Sequence, residues 1–70
     1  MYIVVEENTL GYTIGNAEFG KTVRFIVMAV DYMKGGEPTM LEKESVAVAG
    51  TYRLATKDDE ERFMVRLGLS

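Results

Sequence analysis

The chain has 70 residues, 47% of them apolar, with 8 basic and 11 acidic side chains and a net charge of −3. This apolar fraction is ordinary for a folded protein, and the length predicts a single domain over residues 1–70 with only a small core. Cysteine and histidine are absent, which excludes disulfides, most zinc sites and the usual nucleophile–base pairs of enzymes.

The same composition sets expectations for location and partners. No basic leader precedes the first apolar run and no stretch reaches the length of a membrane span, so we expect a cytoplasmic protein without membrane contact. The basic residues are scattered singly between Lys21 and Arg66, which argues against direct binding of nucleic acid. A small core without disulfide or metal favours stabilisation by association, and we expect a homodimer or another protein partner.

The first elements in chain order predict a β-hairpin. The stretch YIVVEE (Tyr2 to Glu7) is rich in β-branched residues and is followed by NTLG, a turn-like sequence. A second extended piece, YTI (Tyr12 to Ile14), comes next. Two short strands around a turn form a hairpin.

The segment from Lys21 to Met33 fits two interpretations. As a helix, it would carry one apolar stripe that consists of Phe19, Val23, Ile26, Val27, Val30 and Met33. As a strand, it would have Val23, Phe25, Val27 and Ala29 on one face, and Ile26, Met28, Val30 and Tyr32 on the other. Its many β-branched residues favour a strand over Thr22 to Met33.

The second half of the chain predicts a strand and a helix. A break at KGGEPT (Lys34 to Thr39) precedes the alternating stretch Ser45 to Ala55, which we expect to pair with Thr22 to Met33 as an antiparallel hairpin. A helix from about Lys57 to Leu67 is indicated by the cap pattern that Thr56 and Asp59 form. We therefore predict an α+β fold, a small mostly antiparallel sheet of three to four strands with the C-terminal helix on one face.

The octet GNAEFGKT fits the phosphate-loop pattern G-x-x-x-x-G-K-[ST]. In that motif the backbone at Gly15 and Gly20 would cradle phosphate, Lys21 would reach it and Thr22 would hold magnesium. The motif also requires a helix after Thr22, whereas the preferred interpretation there is a strand. Nucleotide binding is therefore the alternative function, and the main prediction includes no cofactor and no metal.

The remaining candidate residues point to protein binding rather than catalysis. With no histidine or cysteine to act as a base or nucleophile, we expect no enzyme activity. Two strands are apolar on both faces, and one helix covers one face, so a partner surface is expected at Phe25, Met28, Val30 and Tyr32. An acidic partner-binding surface is expected at Glu42, Glu44, Asp58, Asp59, Glu60 and Glu61.

The functional hypothesis is a non-catalytic protein-binding module that acts by docking on or occluding another protein. Its acids would compete for a basic surface that otherwise holds nucleic acid. Small acidic inhibitors by which phages and mobile elements block host machinery, anti-CRISPR proteins among them, offer an analogy of size and charge.

Overall fold

The computed structural model describes residues 1–31 and 39–66, with the backbone alone at 39–41 and 64–66. In chain order the elements are β1 (Tyr2–Val5), β2 (Thr9–Thr13), β3 (Val23–Val30), β4 (Thr39–Ala47), β5 (Tyr52–Leu54) and α1 (Lys57–Arg66). The strands form one antiparallel sheet in the order β4-β3-β2-β1-β5. The α+β class is confirmed, with five strands where three to four were predicted.

The two edge strands of the sheet are neighbours in sequence. The link between β4 and β5 is residues 48–51, although a flat sheet would hold its edges about 19 Å apart, four strand spacings. So short a link has to be almost fully extended to cross that distance, yet this one contains a turn in which the Thr51 amide donates to the Val48 carbonyl at 3.1 Å. The sheet therefore coils and brings its edges toward each other.

The concave inner face of the coiled sheet holds the larger core cluster. Its buried members are Ile3, Val23, Phe25, Val27, Val30, Ala47 and Tyr52. They come from β1, β3, β4 and β5, so residues from both halves of the sheet bury one another. The surplus of apolar surface from which a partner was predicted is therefore largely covered by the sheet itself.

The turn at residues 48–51 corrects the prediction of one strand from Ser45 to Ala55. Alternation of large and small side chains continues through this stretch and conceals the break. Gly50 has a φ of 88°, a left-handed conformation that ends an extended strand. The predicted pairing with β3 holds for Ser45 to Ala47, and residues 52–54 pair with β1 instead.

Strand β3 resolves the open choice between helix and strand, and it contains a β-bulge. Val27 pairs with Gly11 and Ala29 with Leu10, so Met28 is an extra residue on this side of the ladder. A bulge interrupts the alternation of faces. Met28 and Ala29 consequently both lie on the convex outer face, and Val30 returns to the inner face. The sequence prediction assumed strict alternation and therefore placed Ala29 on the face of Val27 and Val30 on the face of Met28.

Helix α1 packs on the outer face, as predicted. Phe63 is fully buried against Val4, Leu10 and Ala29. The predicted cap is confirmed as a reciprocal pair, in which the Thr56 amide donates to Asp59 Oδ2 at 2.8 Å and the Asp59 amide donates to Thr56 Oγ1 at 3.2 Å. Within residues 1–31 and 39–66, no helix has the length and apolarity needed to cross a membrane.

Candidate functional site

Part of the outer face beside the helix-covered cluster forms an open hollow of about 460 Å³. Its lining consists of Tyr2 from β1, Tyr12 from β2, Ile26 and Met28 from β3, and Glu42 from β4. We call this surface the tyrosine hollow. Four neighbouring strands contribute to it, so its shape depends on the register of the sheet.

The local structure explains why these side chains meet. Tyr2 and Tyr12 are directly opposite in the β1–β2 ladder, and Ile26 is opposite Tyr12 in the next ladder. Opposite residues point to the same face. The two tyrosine rings pack edge to face, with centroids 4.9 Å apart and planes at 79°. The bulge adds Met28 to the same surface.

Two glutamates of β4 lie on the face of the hollow, and only Glu44 forms an ion pair with a described residue. Glu44 accepts hydrogen bonds from Arg24 Nε at 2.9 Å and from its Nη2 at 2.5 Å, in an exposed ion pair on the same face. Glu42 is exposed and makes no ion pair with any residue that the structure describes. The hollow therefore has a carboxylate at its rim that no described side chain neutralises.

The residues predicted as an apolar interface do not share a surface. Phe25 and Val30 are 3% and 8% exposed in the inner core, so neither can reach a partner while the sheet is intact. Met28 lies in the tyrosine hollow on the opposite face, and Tyr32 lies outside the described residues. Sequence reasoning missed Tyr2, Tyr12 and Ile26, although the two tyrosines share a face once the hairpin register is known.

The predicted acidic surface divides between two elements. Glu42 and Glu44 lie on β4, whereas the other four acids lie on α1. Asp58 and Glu61 are exposed and Glu60 is half-buried. Asp59 is only 7% exposed and takes part in the helix cap, so it is not available to a partner.

A network centred on Arg53 ties the β1–β2 turn to the start of the helix. The guanidinium bonds Glu7 at 2.7 Å and Asp59 at 2.5 Å. Hydrogen bonds from Arg53 are the main cause that holds the pKa of Asp59 far below its usual range, and they also lower the pKa of the exposed Glu7. Arg62 adds a bond from the helix to the Glu7 carbonyl at 3.2 Å. These ion pairs and hydrogen bonds therefore stabilise the fold.

The phosphate-loop-like octet has a structural role around Tyr52. The Gly20 amide donates to the Tyr52 hydroxyl at 3.1 Å, and that hydroxyl donates to the Lys21 carbonyl at 2.5 Å. Gly15, Gly20, Lys21 and Thr22 are all exposed, and the chain continues into β3 rather than into a helix. A helix N-terminus is what a phosphate loop uses to bind anions, so this geometry gives no support to the nucleotide-binding prediction.

Comparisons with protein-family models, with curated proteins and with solved structures find no match. The function proposed below is therefore argued from the geometry and charge of this chain.

Proposed function

We propose that this chain is a non-catalytic protein-binding domain and that the tyrosine hollow is its contact surface. The observation that carries the proposal is the pair of edge-to-face tyrosines over half-buried Ile26 and Met28, open to solvent. Tyrosine and methionine are enriched where proteins bind one another, and anchors of binding energy fill such hollows.

The edge of the sheet extends this contact surface. Among the described residues, β4 has a neighbouring strand on one side only, namely β3. An unpaired strand edge can accept an extended segment of a partner through backbone hydrogen bonds. Glu42 belongs both to this edge strand and to the hollow, so one partner segment can use both features.

A foreign protein fits this surface better than a second copy of the chain. One reason to expect a homodimer was an uncovered apolar sheet face, and the coiled sheet buries most of that face itself. A partner with a basic surface suits the acidic chain. Proteins that bind nucleic acid are one class of partner with a basic surface. By occupying that surface, this domain would inhibit them.

Two charge substitutions test the surface against a matched control. Tyr12 in the hollow is 45% exposed, and Leu54 on β5 is 46% exposed, so Tyr12→Lys and Leu54→Lys place the same new positive charge at nearly equal exposure, and only the former would repel a basic partner from the hollow. The wild-type protein and both variants are immobilised and exposed to an extract of the source cells. Bound proteins are quantified by mass spectrometry, after circular dichroism has established that all three chains fold.

We expect the wild-type and Leu54→Lys proteins to retain the same partner and Tyr12→Lys to lose it. Equal capture by all three chains would place the contact elsewhere. Loss of the partner with Leu54→Lys alone, or no specific capture by any chain, would also reject the tyrosine hollow as the contact surface.

A further inference from the structure

We infer that the tyrosine hollow receives a cationic side chain, an arginine or a lysine, from an extended segment of the partner. This inference rests on the proposed function and specifies its chemistry. It depends on three features of the hollow: the arrangement of its aromatic rings, a carboxylate that no described residue pairs with, and its apolar floor.

The aromatic rings provide a surface that attracts cations. The face of a tyrosine ring carries negative electrostatic potential, and a guanidinium or ammonium within about 6 Å of its centroid is attracted to it. Tyr2 and Tyr12 stand at 79° to each other with centroids 4.9 Å apart. Rings at this angle form a corner rather than a flat stack, so a bound cation can contact more than one ring.

The carboxylate at the rim selects the sign of the charge. Glu42 has no ion-pair partner among the described residues, and the nearby Arg24 is already engaged by Glu44. A cation that enters the hollow would therefore gain a carboxylate without displacing an existing pair. A neutral apolar side chain would gain no such contact, and an acidic one would be repelled.

The floor of the hollow fits the rest of a long basic side chain. Ile26 and Met28 are half-buried there and present apolar surface between the tyrosines and β4. Lysine and arginine side chains place their methylene groups on apolar surface while the charged end stays near polar groups. Methionine adapts its shape to such a contact.

The test uses short synthetic peptides that differ in one group. One peptide carries a single central arginine, and its control carries citrulline, which has the same shape without the charge. Each is titrated into isotope-labelled protein, and NMR follows the rings of Tyr2 and Tyr12 and the methyl group of Met28. We expect the arginine peptide to bind about 5-fold or more tightly than the citrulline peptide, since a partly desolvated cation–π contact and an ion pair contribute together.

Matched variants assign the effect to the hollow. Tyr12→Leu removes a ring and Glu42→Gln removes the carboxylate, and each should weaken arginine-peptide binding about 3- to 10-fold. Tyr12→Phe keeps the ring face and should preserve binding. Glu61→Gln removes another exposed acid, on α1, and should leave arginine-peptide binding unchanged.

The outcomes separate this inference from the proposed function. Equal affinity for arginine and citrulline peptides, with shifts in the hollow, would overturn cation recognition and leave the hollow as a binding surface. Shifts confined to the helix acids, or no shift with either peptide, would also overturn it. The capture experiment with Tyr12→Lys and Leu54→Lys decides the proposed function in all of these cases.

Discussion

At the scale of single residues, Asp59 links three parts of the fold. It closes the helix cap with Thr56 and holds Arg53, which also binds Glu7 on the β1–β2 turn. We expect Asp59→Asn to lower the free energy of unfolding by about 1 to 2 kcal/mol near neutral pH, because it removes the charge of a buried carboxylate from its bonds to Arg53, whose side chain is 38% exposed and partly screened by solvent. Urea unfolding measures the loss.

Asp59 should also make the free energy of unfolding depend on pH. Its pKa is depressed in the folded protein, chiefly by the hydrogen bonds from Arg53. The stability that it contributes is therefore fully present above the ordinary carboxyl pKa of about 3.9 and is lost as the pH falls from there toward the folded value. The gap between wild-type and Asp59→Asn stability should narrow below about pH 4. A gap that stays constant down to acid unfolding would contradict this role.

Gly11 is required by its neighbour on the inner face. A Cβ at this position would lie 2.3 Å from Cδ2 of Phe25 and 3.1 Å from the Ile26 carbonyl oxygen. We expect Gly11→Ala to destabilise the protein by about 1 to 3 kcal/mol, because the Phe25 ring would have to leave its packed position and the Ile26 carbonyl oxygen belongs to the backbone of β3. Thermal unfolding checks this. Phe25→Leu should lower the free energy of unfolding less in the Gly11→Ala variant than in the wild type. If the losses of the two single variants simply add in the double variant, the clash between the Cβ and the ring is not the cause.

At the scale of elements, the β1–β2 turn is strained. Glu6 and Glu7 have φ values of 51° and 60°, a left-handed conformation that side chains other than asparagine, aspartate and glycine rarely adopt. We expect Glu6→Asn to raise the free energy of unfolding by about 0.5 to 1 kcal/mol, because asparagine tolerates this conformation better. Chemical unfolding measures the gain. Glu6→Val, a β-branched control, should lower stability, and the opposite order of these two variants would refute the explanation.

Charged residues on strand β4 disfavour its pairing with β4 of a second copy of the chain. In a continuous antiparallel sheet made by two identical strands, the central residue faces itself across the two-fold axis. When the two-fold axis passes through Glu42, Lys43 or Glu44, like charges therefore lie opposite each other, and this destabilises the pairing. Replacing all three residues by threonine should produce self-association that sedimentation detects. A triple variant that sediments as the wild type does would show that these charges have no such effect.

The elements also show what the sequence could predict. The helix and its cap follow from a local spacing, Thr56 to Asp59, and local signals transfer well to structure. The bulge at Met28 and the break at Gly50 depend on how strands pair across the sheet, which the alternation of side chains does not encode. For the same reason the interface prediction combined Met28, which lies on the outer face, with Phe25 and Val30, which are buried on the inner face.

At the scale of the whole molecule, the coiling of the sheet decides which surfaces remain for function. Sequence reasoning weighed one helix against two apolar sheet faces and concluded that a partner had to cover one of them. The short link at residues 48–51 curls the sheet so that the inner face covers itself. Among the surfaces that remain exposed is a tyrosine-lined hollow beside an edge strand, with a carboxylate that forms no ion pair with a described residue.

Site-specific photo-crosslinking would show whether the tyrosine hollow contacts a foreign protein in the cell. A benzophenone amino acid replaces Tyr12 in one protein and Leu54 in another, and both are irradiated in the source cells. We expect an adduct with a foreign protein from position 12 and none from position 54. An adduct only from position 54, no adduct from either, or an adduct at position 12 that contains only two copies of this chain would contradict it.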